Sequence, residues 1–572
     1  MAIYLNPNLR AFKRRLNSGC WVDKSLIISE LNGRVNDEDR KHVCISRPRR
    51  FGKTITAQML CAYYGKGVNN SGLFDPLRVG VEGSQIRLKR SENSTATAQT
   101  EDEDIYHKHL NRYDVIFISM AAEYSSAGKS VERLKERLEQ RIGKELREYF
   151  PGVVGDGQQK LWDMLAEVCD HCQSQSDSEK EASGATGAAL VPFGQFVFII
   201  DEWDSVIRSA RDKQQEIKDY LDFLRDLLKD RDYVALAYMT GILPIKKYGD
   251  HSALNMFKEY SIISPGQFAP FIGFTEDEVN ALCETNGVDF TEMSSWYDGY
   301  TVGETVHIFN PNSVVNALTE RRFASYWDKT ESSSQALGVY LKLNLIGLKD
   351  VIVKLLAGDT VRVDVSTFEN DLTTFQSCDD VLTLLTHLGY LSAEPDNFGD
   401  PDFRILRIPN REIRSEFRRV ISRNKDYAQT AEAIEHSREL LRFLLEGDAA
   451  KVAAGVAKAH EEHASILRYN DENSLSCVLS LAFFSARDNY TIIRELPTGK
   501  GFADLVFIPR PGADTPALLI ELKYDHSAAT ALSQIKNQHY PQALEAYRGN
   551  LILAGISYDK DSKEHHCVIE RV

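Results

Sequence analysis

Four strand-length apolar runs, VCIS (43–46), VIFISM (115–120), FVFII (196–200) and VALAYMTGI (234–242), punctuate the first half of the chain. None alternates with polar residues, so each predicts a strand buried on both faces rather than one washed by solvent. Segments of helical periodicity separate them, as in the stretch DYLDFLRDLLKD. Buried strands alternating with helices predict a parallel α/β sheet covered on both sides.

From about Gly273 the apolar spacing becomes mainly helical. Residues 379–391 (DDVLTLLTHLGYL) predict an amphipathic helix, followed by turn signals in EPDNFGDP and a strand in FRILRIPN. Helix, turn and wing in that order resemble a winged helix, used either to read DNA or as a spacer between modules. A helical hairpin is expected over 430–462. Two segments, 91–104 (SENSTATAQTEDED) and 172–188 (CQSQSDSEKEASGATGA), have linker composition and are expected as mobile surface loops. The resulting division is 1–330, a helical and winged-helix-like connector 331–465, and a last module 466–572.

Composition changes this picture little. With 43% hydrophobic and 26% charged residues, the chain has the profile of ordinary globular protein. The apolar runs are too short to span a membrane, and the start MAIYLNPNLRAFKRR has no signal-peptide pattern. Nine scattered cysteines, an odd count, point to free thiols in a reducing, cytoplasmic setting. Cys169 and Cys172, with His171 between them, lack a second pair at zinc-site spacing and read as incidental thiols on a helix. The net charge of −15 argues against tight non-specific binding of nucleic acid, although 466–572 holds 11 basic and 13 acidic residues and is nearly balanced.

The run VCISRPRRFGKTITAQML sets a buried strand, a loop, and then Gly52-Lys53-Thr54 opening a helix. A phosphate-binding loop requires that context. Helix N-terminal amides attract phosphate oxygens, and Gly52 lets the backbone approach them. Lys53 would reach the β- and γ-phosphates, and Thr54 would offer its hydroxyl to Mg2+. The general motif has glycine where this chain has Arg47, and Pro48, Arg49, Arg50 and Phe51 fill the loop. The three arginines are expected at the nucleotide, with a solvated basic loop as the alternative. FVFIIDEWD ends in Asp201, positioned to hold Mg2+, and Glu202, positioned to orient the attacking water. A further strand ends near Thr240, a candidate γ-phosphate sensor.

The segments SRPRRFGKT, IIDEWD, YMTGILPIKKYG, SALNMF, WYDGY and FNPNSVVNAL, together with VDKS (22–25), resemble the AAA-ATPase-like domain family of microbial proteins across residues 1–330. That family's loop itself begins with arginine-proline. The resemblance implies a P-loop NTPase-like fold that binds ATP.

The second constellation lies near the C-terminus. GKGFADLVFIP sets Asp504 on a strand, and ALLIELKYD carries Glu521 and Lys523. Alternate strand residues share a face, so Glu521 and Lys523 project together while Leu522 turns to the core. An adjacent antiparallel strand would bring Asp504 beside Glu521. Such a pair suits a hard cation, Mg2+ or Mn2+, which activates water and neutralises charge at a scissile phosphate. Lys523 would position the water or stabilise the transition state. Glu472 is a further candidate metal ligand, or else an acid favoured by a helix start. Glu495, Gln534 and Tyr540 are placed nearby. The stretches RELPTGKGFADLVF, LIELKY, ALSQIKNQHY and LAGISYD resemble the PD-(D/E)XK nuclease superfamily, implying a restriction-endonuclease-like α/β domain. The expected function is an ATP-regulated nuclease. The partners are ATP and nucleic acid, with DNA ahead of RNA, no membrane is involved, and a homo-oligomer stays open. The alternative is a nucleotide-switched interaction or signalling protein whose last domain binds nucleic acid without cutting it.

Overall fold

The computed structural model describes residues 3–8, 10–67, 70–82, 105–157, 159–183, 194–245, 253–303, 306–327, 337–343, 345–368, 375–463, 478–498, 501–510, 513, 515–524, 526–537, 544, 547, 549–559, 562 and 564–572. The expected loop 91–104 lies outside these residues, as do Glu472 and Tyr540.

The four apolar runs become β1 (His42–Ser46), β2 (Asp114–Ser119), β3 (Phe196–Asp201) and β4 (Val234–Gly241). A short polar strand, β5 (Lys258–Tyr260), completes an all-parallel sheet in the order β2-β3-β4-β1-β5. As an edge strand of three residues, β5 needs no apolar run, which is why hydropathy does not reveal it. Both faces are covered. Val43 and Ile45 enter one core and Cys44 the other, and Ile199 and Ile200 divide in the same way. Because every strand runs in one direction, β3, β4 and β1 end side by side at one edge. The helix α1 (Lys53–Tyr64) begins there, after the loop that follows β1.

The helix α2 (Leu161–Ser183) extends into the segment expected as a linker. Gln, Glu, Lys and Ala, which recur in that segment, are all good helix formers, so a polar composition does not exclude a helix. Next come α3 (Phe290–Tyr297) and a small antiparallel sheet of β6 (Phe274–Thr275), β7 (Tyr300–Val302) and β8 (Val306–Phe309), ordered β6-β8-β7.

The connector contains α4 (Leu348–Ala357), β9 (Val361–Asp364), α5 (Cys378–His387), β10 (Ser392–Pro395) and β11 (Phe403–Arg407). Its three strands form an antiparallel sheet ordered β10-β11-β9, a winged-helix layout. The helix α5 starts on a Ser377–Asp380 capping box and stops before Gly389, short of the expected end, where φ is +87°. Every residue of α5 from Asp380 to His387 is buried. This helix therefore presents no exposed face between Asp380 and His387. The connector's apolar residues Leu348, Ile352, Leu384 and Leu385 share one core with Val43, Ile45 and Ile199 of the first sheet.

Beyond α6 (Arg411–Ile421), the hairpin α7 (Ala428–Glu446) and α8 (Ala449–His463) packs on the last module through Leu444, Val452 and Val456. That module is a mixed sheet, β12 (Tyr490–Thr498), β13 (Gly501–Pro509), β14 (Ala517–Tyr524), β15 (Leu551–Tyr558) and β16 (His565–Arg571), in sequential order. Only β14 and β15 pair in parallel, connected through α9 (Ala528–Asn537). The chain is therefore α/β at both ends with a helical, winged-helix-like centre. Among the described residues no helix is long and apolar enough to cross a membrane.

Candidate functional site

The sheet edge that collects the ends of β1, β3 and β4 forms the first site. Gly52, just before α1, has φ +95° and open space where a Cβ would stand, and α1 has no side-chain N-cap. Its first amides are thus presented outward, as an anion site needs. Lys53 is buried, and its Nζ donates to the carbonyls of Arg47 and Pro48 at 2.8 and 2.7 Å. Burial draws its pKa down to about 8, with Asp201 opposing. Thr54 Oγ1 donates to Asp201 Oδ2 at 2.7 Å, and Thr240 Oγ1 to Asp201 Oδ1 at 2.6 Å. The buried Thr240 therefore orients Asp201. Glu202, half-buried, adopts φ +55°. That left-handed conformation is uncommon for a non-glycine residue and is found often at functional turns.

The arginines divide. Arg47 is 1% exposed, and its Nη groups donate to the carbonyls of Ser46, Tyr260 and Phe268 at 2.9, 2.9 and 3.5 Å. This corrects the expectation of a phosphate contact, since the side chain turns under the loop and braces it. Arg50, at φ +66°, donates to the Tyr326 carbonyl at 2.9 Å and likewise ties the loop to its surroundings. Arg49 is half-buried, and burial, then Arg208, lowers its pKa while Asp204 and Glu202 oppose. It is the loop arginine on the carboxylate side.

Sequence reasoning passed over Asp204, which is fully buried. Its Oδ2 accepts from the amides of Ile242 and Leu243 at 3.2 and 3.1 Å and from Arg208 Nε at 2.9 Å. It clamps the exit of β4 against the end of β3. The second aspartate of the DEWD segment was the available signal.

The second site lies on β13 and β14. Their antiparallel ladder runs Phe507–Leu518, Val506–Leu519, Leu505–Ile520. One step further, Asp504 Oδ2 accepts the Leu522 amide at 2.6 Å, so a carboxylate replaces the next backbone partner. Leu522 is in the core, while Glu521 and Lys523 share the other face, with Nζ 3.3 Å from Glu521 Oε1. Gln534 of α9 also donates to Glu521 Oε1. Glu521 is 1% exposed, and its Oε2 is buried with no hydrogen-bond partner. Burial, then the Asp504 charge, pushes its carboxyl up to about 7 against the pull of Lys523. A buried oxygen without a partner beside a second carboxylate fits a divalent cation. Asp504 and Glu521 would hold it. Glu495 is exposed at φ +51°, between the β12–β13 pairs Arg494–Leu505 and Leu496–Ala503, and so stands opposite Asp504 in register.

Cys169 and Cys172 both lie on α2, where burial pushes the Cys169 thiol up to about 11. Among the described residues no three side chains of metal-binding type converge.

Two stretches of the chain match known families. Residues 9–249 match the family described as "Predicted AAA-ATPase", and residues 470–566 match the PD-(D/E)XK nuclease superfamily. An "Uncharacterized protein in vnfD 5'region" from Azotobacter chroococcum mcd 1 is 24% identical over 563 residues, covering 92% of this chain and 91% of that protein. The solved structure of the Aeropyrum pernix ORC2 protein (ADPNP-ADP complexes) aligns with 72% of this chain and 98% of its own, at 10% identity and a TM-score of 0.26.

Proposed function

We propose that this chain, which carries an AAA-ATPase-like domain and a PD-(D/E)XK nuclease superfamily domain, is an ATP-regulated nuclease dependent on Mg2+ or Mn2+. The observation that carries the reading is Glu521. It is a buried carboxylate with one oxygen lacking a partner, next to Asp504 of the neighbouring strand β13 and Lys523 of its own strand β14.

At the nucleotide site, the α1 amides and Lys53 hold the phosphates and Arg49 adds positive charge. Thr54 and Asp201 stand where Mg2+ would be held, Thr240 fixes Asp201, and Glu202 orients water. At the nuclease site, Asp504 and Glu521 bind the cation, Gln534 orients Glu521, and Lys523 holds the attacking water or the charged phosphate. When bound, the divalent cations supply charge neutralisation at phosphate and, at the nuclease site, lower the pKa of water.

Two contacts support the reading that ATP binding and cleavage are coupled. The loop residue Pro48 packs against Gly389, where a Cβ would sit 2.7 Å from its own, and Tyr300 donates to the Gly389 carbonyl at 2.7 Å. The connector in turn meets β12 through an Asp359–Arg494 ion pair.

The test is cleavage of linear DNA, circular DNA and RNA in Mg2+ or Mn2+, with and without ATP. Lys523→Ala should lower the rate by about 100-fold or more while ATP binding persists; Lys53→Ala should abolish ATP binding and the ATP dependence of cleavage while ATP-independent cleavage persists. If no substrate is cut although ATP is hydrolysed, the nuclease reading fails and a binding-only switch replaces it.

A further inference from the structure

Where the connector touches both end modules, a cleft of about 300 Å3 opens between α3, the start of α6 and the end of β13. It shares no residue with either site above. Its walls hold four arginines, Arg407, Arg411, Arg414 and Arg510, against one carboxylate, Asp298. Two are neutralised from outside. Arg407 Nε donates to Glu394 at 2.7 Å, and Arg411 pairs with Glu292 at 3.2 Å and lies 4.6 Å over the Trp296 ring.

The other two lack a counter-charge. Among the described residues, the Arg414 side chain makes no hydrogen bond or ion pair, and the Arg510 side chain bonds only to Ser295 Oγ at 2.6 Å, leaving its buried Nε without a partner. Desolvation, then the charges of Arg487 and Arg510, draws the pKa of Arg414 down to about 9. Arg414 and Arg510 are both half-buried, and like charges held together in a partly desolvated cleft are costly unless an anion arrives. The N-terminus of the eleven-residue α6 adds positive potential at the same wall. Close packing fixes the cleft's floor, because Gly299 at φ +105° lies so near Pro409 that a Cβ would meet its carbonyl at 2.2 Å.

We propose that this cleft binds a nucleotide unit, with its phosphate on Arg414 and Arg510 and a hydroxyl or amino donor against Asp298. A guanidinium fork matches a phosphate oxyanion in shape and charge. Asp298 Oδ1 is buried without a partner, so it repels a bare anion and favours a ligand with an adjacent donor. The cleft's size suits a small phosphorylated molecule. The unit is either a free nucleotide or one residue of a strand, and the ligand chemistry is the same for both.

Calorimetry on the full chain carrying Lys53→Ala, in EDTA, tests this with the other two sites disabled. The probes are the four nucleoside 5′-monophosphates, a thymidine hexanucleotide, and adenosine and inorganic phosphate as controls. Saturable binding of monophosphates assigns a free nucleotide, and binding of the oligonucleotide alone assigns a strand; both controls should bind more weakly. Adding Arg414→Gln or Arg510→Gln should weaken binding at least about tenfold. The melting temperature without ligand should stay level or rise for Arg414→Gln, which separates lost binding from lost fold. The proposal is overturned if neither probe class binds, or if both arginine variants bind as the parent does.

Discussion

At Glu521, burial and function pull in opposite directions. Its carboxyl sits near 7, above the usual 4.5, because desolvation disfavours the charge. Folding therefore takes up a proton between those two values. The resulting stabilisation is complete below the lower one and is lost as pH rises through the higher. In the metal-free protein, Glu521→Gln should gain about 1–3 kcal/mol at about pH 8 and nothing near pH 4. Denaturant melts in EDTA at the two pH values measure this, and the same variant should not cleave. A loss of stability at the higher pH would mean that the carboxylate is already well solvated or paired. Lys53 and Arg47 show the same physics for cations. Both are buried and drawn down, and both are held by backbone carbonyls.

Among the elements, α9 is the one whose fit decides the surroundings of Glu521. Gly555 on β15 pairs with Glu521 on β14, and a Cβ there would meet the Ala528 carbonyl at 2.3 Å and the Leu532 amide at 3.0 Å. Both contacts are backbone, so neither can yield as a side-chain tip would. Gly555→Ala should push α9 off the sheet, costing about 1–3 kcal/mol and withdrawing Gln534 from Glu521. Loss of position at a reacting centre costs up to about 100-fold in rate, so cleavage should fall well beyond what the fraction folded explains. Wild-type rates in a stably folded Gly555→Ala would separate α9 from the chemistry. The enclosure of α5 belongs to this scale as well, since every residue from Asp380 to His387 is buried.

Over the whole molecule, the connector is the part that can carry a signal. One core runs from Val43 and Phe51 beside the phosphate loop through Leu384 and Leu385 to Phe484 next to the last sheet. Arg487 donates to the Ala357 carbonyl and Arg494 pairs with Asp359, so the α4–β9 turn grips the nuclease-like module at two points. Asp359→Ala should leave ATP binding and ATP-independent cleavage intact while reducing the ATP dependence of cleavage. Comparing rates with and without ATP checks it, and an unchanged ratio would rule out this contact as the coupling route.

The sequence by itself determined the four buried strands of the first sheet, because doubly buried strands must be continuously apolar. It also determined the placement of Lys53, Thr54, Asp201, Asp504, Glu521 and Lys523, whose spacing follows from strand ends and from the two-residue period of a strand. Arg47 and Arg50 could not be sorted from Arg49 by sequence, because three arginines in one loop look alike until carbonyl partners from Ser46, Tyr260 and Tyr326 claim two of them. Nor did residues 331–465 reveal that their core merges with the first sheet, or that α7 and α8 pack on the last one. The arginine cleft was equally hidden, since Arg414 and Arg510 lie far apart in the chain and belong to different modules. Local pattern records how each residue relates to its own helix or strand. Which loops and charges meet across elements is settled only when the chain is packed.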